Sequence, residues 1–265
     1  MANLLRFEFR KLLRGKIVYI IAAIAVLFVI LNGLVFFLFD YVLTEIDPEA
    51  SGLIGSYSAY YFTKAALTNN FTIIIGVFIA IYACEDFGHG TSKNVIGKGY
   101  SRLKVYFSKY IVSLVAVIVM AILCFLTALG FGLILFNNDF GSVTDNVPVI
   151  VIGQILCLIV FHSMLFTLAY MIGKSGAAIA INIVAPLGIT LILTILDLII
   201  NREGFSLSNY WIDGIFSNFT GASSSLNLPT STTDESLFVS NFILIFVYLA
   251  ASEALGIFFA QRKQY

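Results

Sequence analysis

The 265-residue chain is 60% hydrophobic and 11% charged, with a mean hydropathy of +0.98. A soluble domain carries about 25% charged residues, so this chain has too little polar side chain to cover a globule, and a polytopic membrane protein follows. Its formal net charge of zero provides no global field for nucleic acid, and three scattered cysteines exclude a disulfide scaffold.

Residues Met1 to Lys16 read as an amphipathic helix on the inner membrane surface. Leu5, Phe9, Leu12 and Leu13 share one face, and Arg6, Arg10 and Arg14 share another at i, i+4 and i+8. A basic face suits anionic headgroups. Such a helix is either a topology anchor or a lever packed against a cytosolic partner. Runs of about 18 or more apolar residues mark membrane-spanning helices. They predict an all-α fold with six spans at 17–39, 61–83, 110–136, 147–172, 177–200 and 237–260. The first is longer than the core of about 7–15 residues in a signal peptide and no small-residue cleavage site follows, so it reads as a retained span. The second is clearest from Phe71 onward, because Lys64 and Asn69-Asn70 occupy its outer part.

The connections carry their own signals. The segment from Asp40 to Tyr60 holds four acids with Pro48, Gly52 and Gly55, and reads as a partly helical outer loop. Pro148 suits the first turn of the fourth span, and Pro186 predicts a kink in the fifth. Residues 201–236 mix Phe205, Tyr210, Trp211, Ile212, Ile215, Phe216 and Phe219 with Gly and Ser. Aromatic residues at this density suit an interfacial or re-entrant element, and Gly221 to Ser225 reads as a turn. No tandem repeat or second domain is visible, so residues 1–265 read as a single membrane domain.

Lysine and arginine set the orientation. Thirteen of the fifteen precede the first span, follow the sixth, or lie between spans two and three or four and five; only Lys64 and Arg202 fall on the other side. Ten of the fifteen acids, among them Asp40, Asp139, Asp213 and Glu235, fall on the side with few cations. Both termini therefore belong in the cytosol.

The polar block from Cys84 to Lys104 is then a cytosolic loop between spans two and three. Gly88, Gly90, Gly97 and Gly99 permit sharp turns. Thr91 to Ile96 predicts a short helix with Thr91 as cap and Gly97 as stop. Ser101 stands at the N-cap of the third span, with Lys104 at N3, so no capping box forms. This turn–helix–turn joins two membrane helices, and a push on it tilts both.

Enzymatic motifs are missing. A Walker A site needs G-x-x-x-x-G-K-[ST]; Gly173-Lys174-Ser175 is present, but Leu168 occupies the place of the first glycine. H-E-x-x-H is absent, and Cys84, Cys124 and Cys157 lack zinc spacing. No catalytic residue, metal site or cofactor site is expected. Ionisable groups inside spans are costly and therefore notable. His162, Asp197 and Glu253 are the candidates. They could relay protons in an ion-gradient-driven transporter. Alternatively, Asp197 reaches the outer interface while His162 and Glu253 pair within the bundle.

Glu85, then Gly90-Thr91, then Gly99-Tyr100-Ser101-Arg102, then Ser108-Lys109 resembles the E…GT…SR…K pattern of ABC-2 type permeases. The basic amphipathic start, six spans and aromatic outer segment extend the resemblance along the chain. It implies that residues 85–109 are a coupling segment that docks on a separate ATPase subunit, with Glu85, Gly90, Thr91, Lys93, Asn94, Ser101 and Arg102 as the docking residues. It further implies two ATPase copies carrying ATP and Mg, a second and identical permease chain, and a bacterial plasma membrane. Overall likeness is to compact peptide-exporter permeases, including lantibiotic and bacitracin self-protection systems and phenol-soluble modulin exporters. That implies an amphipathic or antimicrobial peptide cargo. Two other readings stand beside it: an ion-gradient-driven secondary transporter, and a non-transporting immunity protein that sequesters peptides.

Overall fold

The computed structural model describes residues 1–46, 59–67, 69–88, 91–136, 146–200, 206–220 and 238–263, and among these every regular element is helical. In chain order they are α1 (Ala2–Arg14), α2 (Lys16–Ile46), α3 (Ala59–Lys64), α4 (Asn69–Gly88), α5 (Thr91–Gly97), α6 (Arg102–Leu135), α7 (Val147–Ile172), α8 (Ser175–Ile200), a 3-10 turn (Ser208–Tyr210), α9 (Ile212–Thr220) and α10 (Phe238–Arg262). Most of the expected acidic loop 40–60, the loop 137–146 and the turn at 221–225 lie outside the described residues.

Five of these helices are long and apolar enough to cross a membrane: Lys16–Leu38, Arg102–Leu135, Val147–Ile172, Ser175–Ile200 and Phe238–Arg262. The run expected at 61–83 is not one helix. It divides into α3 and α4, with a turn at 65–67. The physical reason is at the end of α3. There the Gln154 amide on α7 donates to the Lys64 carbonyl at 3.0 Å, satisfying a group that continued helix would have used. α4 then begins at the two asparagines and runs through the interior, with Ile75, Ile79, Ala80 and Ala83 fully buried.

α7 forms the centre of the bundle, and α4, α8, α9 and α10 pack on it. Its C-terminal half carries an aromatic column with α6. Tyr110 meets His162 edge-on at 4.9 Å, Tyr106 meets Tyr170 at 5.0 Å, and Tyr106 and Tyr110 each meet Phe166 at 5.5 Å. Small and polar residues join α7 to α10: the Ser163 and Ser252 hydroxyls are 2.8 Å apart, and Gly256 faces Tyr106 and Thr167. In an apolar surrounding, close packing and such hydrogen bonds are what hold helices together. α8 packs through Ala178 and Asn182, and the Asn182 amide donates to the Gly76 carbonyl of α4 at 3.1 Å. Within the aromatic segment that follows α8, Ile212, Ile215, Phe216 and Phe219 of α9 are all fully buried against the bundle.

Side-chain contacts show which helix ends lie together. Lys11 of α1 meets Glu85 of α4, Arg102 of α6 meets Gln261 of α10, and Lys263 meets Tyr170 of α7. At the opposite end, Gly132 of α6 faces Ala59 and Phe62 of α3, and Gln154 joins α3 to α9. Lys11, Arg102 and Lys263 thus lie at one end of the bundle.

Candidate functional site at the basic end of the bundle

α1 lies against the bundle through Leu4, Glu8 and Leu12, spaced i, i+4, i+8 and each nearly inaccessible. Arg6, Arg10 and Arg14 are exposed. The apolar face differs from the expected one. Leu13 is 59% exposed, Leu5 and Phe9 are half-buried, and the centre of the buried stripe is a carboxylate, Glu8. The stripe is rotated because Glu8 and Lys11 find polar partners on α4.

Those partners form a buried ion network. The Tyr82 hydroxyl donates to Glu8 at 3.0 Å. Lys11 bridges Glu85 at 2.9 Å and also contacts Asp86. Asp86 reaches Lys109 of α6 with its other oxygen, and Lys109 is only 1% exposed. Lys109 also sits 5.8 Å from the centre of the Tyr82 ring. Three carboxylates and two ammonium groups therefore tie α1, α4 and α6 at one level.

Their electrostatics divide. Burial alone would raise the Asp86 carboxyl, but the Lys109 and Lys11 ammonium groups outweigh it and hold Asp86 below the usual carboxylate range. Burial pushes the Glu8 carboxyl above its ordinary value of 4.5; Lys109, Lys11 and the Tyr82 hydroxyl oppose burial, and Asp86 adds to it. Burial acts against the Lys11 charge, yet Asp86 and Glu85 raise its affinity for the proton. The linkage signs are opposite. Asp86 contributes stability above its ordinary value of 3.8, and that contribution is lost as pH falls through its lowered folded value. Glu8 contributes stability below 4.5 that is lost as pH rises through its raised folded value. Glu8→Gln keeps an acceptor for Tyr82 and removes the burial cost of the charge. The variant is expected to melt higher than wild type at pH 7 and to lose that advantage below about pH 4.5. Thermal unfolding of the detergent-purified chain across that range checks this; a deficit at pH 7 would contradict it.

The short helix α5 rests between the ends of α4 and α6. It spans Thr91–Gly97, one residue beyond the expected Thr91 to Ile96, and the turn that follows uses Gly99 with φ +88°. That left-handed value favours glycine. Ser101 caps α6 as expected, accepting from the Lys104 N–H at 3.4 Å.

The sequence-derived docking residues separate into two groups. Lys93, Asn94, Ser101 and Arg102 are exposed and Thr91 is half-buried, whereas Gly90 lies outside the described residues. Glu85 and Arg102 also tie inward: Glu85 pairs with Lys11, and the Arg102 guanidinium donates to the Gln261 carbonyl at 2.9 Å. A third tie closes the same end. The Lys263 ammonium donates to the last-turn carbonyls of α7, at Tyr170 and Met171, and lies 3.8 Å from the centre of the Phe87 ring. A cation there complements the helix C-terminus. Burial pulls its ammonium down to about 8.

Sequence reasoning missed Glu8, Lys11 and Asp86 as members of one site. The available signal was Glu8-x-x-Lys11, two charges three residues apart on one helix face and different from the arginine face.

The three intramembrane candidates do not converge. His162 is fully buried and bonds to Ser113 at 2.8 Å. Glu253 accepts from Ser163 at 2.9 Å. Asp197 accepts from the Leu207 and Ser208 N–H groups at 2.6 and 2.9 Å and from the Ser206 hydroxyl at 2.7 Å, so it orders the start of the outer segment. His162 and Glu253 thus bond to adjacent but separate partners rather than to each other.

A family model described as ABC-2 family transporter protein matches residues 4–197. No curated protein and no solved structure matches the chain.

Proposed function

The chain belongs to the ABC-2 family of transporter proteins, and from that membership we propose that it is the permease subunit of an ATP-driven exporter of amphipathic or antimicrobial peptides. A permease component of an ABC transporter is a multi-pass membrane protein rather than an enzyme, and the family implies an ABC ATPase partner. The proposed assembly has two permease chains of this sequence above two ATPase chains, in a bacterial plasma membrane, with both termini cytosolic. α4 is the sixth span in this reading. Its last turn, with Glu85 and Asp86, stands at the cytosolic end beyond that span.

The observation that carries the reading is the construction of the basic end. α5 presents Lys93 and Asn94 outward, while the helix ends beside it are clamped by the network around Asp86 and by Arg102 and Lys263. A displacement of α5 by a docked ATPase would reach α1, α4, α6 and α10 through charged contacts rather than through loose loops. Packed elements with two discrete arrangements are what carry such coupling. An ion-gradient mechanism would instead need His162, Asp197 and Glu253 to exchange a proton, and each is held by different partners.

The permease alone is expected to show no ATPase activity and to co-purify with a P-loop subunit. Lys93→Glu together with Asn94→Glu is expected to leave the permease folded and to reduce that co-purification at least about tenfold, the equivalent of about 1.4 kcal/mol. Pull-down with unchanged melting reads it. Unaltered capture and unaltered coupled ATPase activity would reject docking at α5. Protection of cells that persists with a catalytically dead ATPase would favour the sequestering alternative.

A further inference from the structure

A cavity of about 380 Å³ lies between α4, α7, α8 and the start of α9, at the level of the α8 proline. Leu187 and Leu191, which line it, are 49% and 63% exposed, so it opens sideways beside α8. Its polar inventory is one-sided. Asp213 lines it at 4% exposure, and Asn182 lines it at 1%. Asn182 gives its amide N–H to Gly76, which leaves its side-chain oxygen buried with no partner. Pro186 has no N–H to give to the Asn182 backbone carbonyl one turn earlier. The neighbouring hydroxyls are already used: Thr190 donates toward Pro186 and Asp213, and Thr194 donates to Thr190. Among the described residues, no Lys, Arg or His lines it.

A buried carboxylate without a counter-cation and an amide oxygen without a donor, among the described residues, together favour a ligand that brings both. The apolar wall from Phe161, Leu165, Ile183 and Leu187 takes the ligand's hydrocarbon. We propose that this cavity binds the ammonium group of a cationic amphiphile, with Asp213 as its counter-ion, the Asn182 side-chain oxygen as a second acceptor, and the attached apolar chain leaving beside α8. This deepens the exporter reading and rests on it for its role as a cargo site: it names the chemistry of the cargo as an amine-bearing amphiphile. The volume holds one head group or side chain, not a whole peptide.

The test uses the purified full chain in a non-ionic detergent, with no ATPase present. Trp211 is the only tryptophan and stands two residues before Asp213, so its fluorescence reports occupancy. The probes are dodecylamine, dodecyltrimethylammonium and dodecanoate, which share one tail. Dodecylamine is expected to bind at least about tenfold more tightly than dodecanoate, because a charge-assisted hydrogen bond in a buried site is lost with the anion. Dodecyltrimethylammonium, which has charge but no N–H donor, is expected to fall between them. Asp213→Asn is expected to weaken dodecylamine about tenfold, and Asp213→Glu to retain the order of the three probes. Equal affinity for dodecylamine and dodecanoate in the wild-type chain overturns the proposal, and that measurement needs no variant to fold. Unchanged dodecylamine binding in a folded Asp213→Asn overturns it too. Failure to capture an ATPase would reject the exporter reading and leave this binding result standing, so the two failures are told apart.

Discussion

Asp86→Ala lowers the stability of the isolated chain by about 3–5 kcal/mol, the range for removing one partner of a buried pair. Lys109 is the reason. Its ammonium group is 1% exposed, Asp86 is its ion-pair partner, and the aromatic ring of Tyr82 at 5.8 Å is a weak substitute. Lys11 suffers less, since Glu85 remains at 2.9 Å and its side chain is 22% exposed. The double variant Asp86→Ala with Lys109→Met is expected to recover most of the loss. Replacing both members of a buried pair by apolar groups is often close to neutral, whereas stranding one charge is not. Melting of the single and double variants in one detergent decides it. A shift for Asp86→Ala of under about 2 °C, below 1 kcal/mol for a chain of this size, would mean that Lys109 finds another partner. The cycle also separates stability from coupling. If the double variant is stable but no longer transmits ATPase binding, the charges act in transmission as well as in folding.

The second large effect is expected at Gly153. A Cβ there would stand 2.6 Å from Cζ of Phe219 and closer still to two other ring carbons. The ring cannot swing away freely, because Phe238 stacks on it at 5.3 Å and Phe242 lies at 5.5 Å. Gly153→Ala must therefore either displace α9 from α7 or force an off-rotamer ring, at a cost of about 1–3 kcal/mol. Displacing α9 would also break the Gln154 contact with the Phe219 carbonyl at 3.2 Å, and the same amide holds the end of α3. One methyl group thus loosens the whole end of the bundle where α3, α7 and α9 meet. Phe219→Leu in the same chain frees part of the space and is expected to restore part of the melting temperature. No recovery would place the damage in α7 itself.

Much of the architecture was legible because its signals are local. Hydropathy marks 147–172 in the sequence, and α7 occupies Val147–Ile172. Pro148 falls in the first turn of α7, Ser101 caps α6, and α5 forms where threonine and glycine bracket a short polar stretch. The end-to-end asymmetry of lysine and arginine also agrees with the observed meeting of Lys11, Arg102, Lys109 and Lys263 at one end. Each of these depends on a residue and its near neighbours in the chain, or on a count that alternates with each crossing.

What the sequence by itself determined is therefore the helical membrane class, the positions of the main apolar runs, the short helix between α4 and α6, and the family resemblance. Tertiary structure alone decided the rest. It turned Glu8 inward and Leu13 outward, because the face that α1 buries is chosen by Tyr82, Glu85 and Asp86 across a separation of more than seventy residues. It broke the run at 61–83, because the carbonyl end of α3 is satisfied from α7. It also set Asp213, read in the sequence as one more outer acid, at 4% exposure beside Asn182 in a cavity that no cation among the described residues lines. Hydropathy and periodicity state how much of a helix must be buried; which polar group is buried, and against what, depends on the neighbouring helices that pack there.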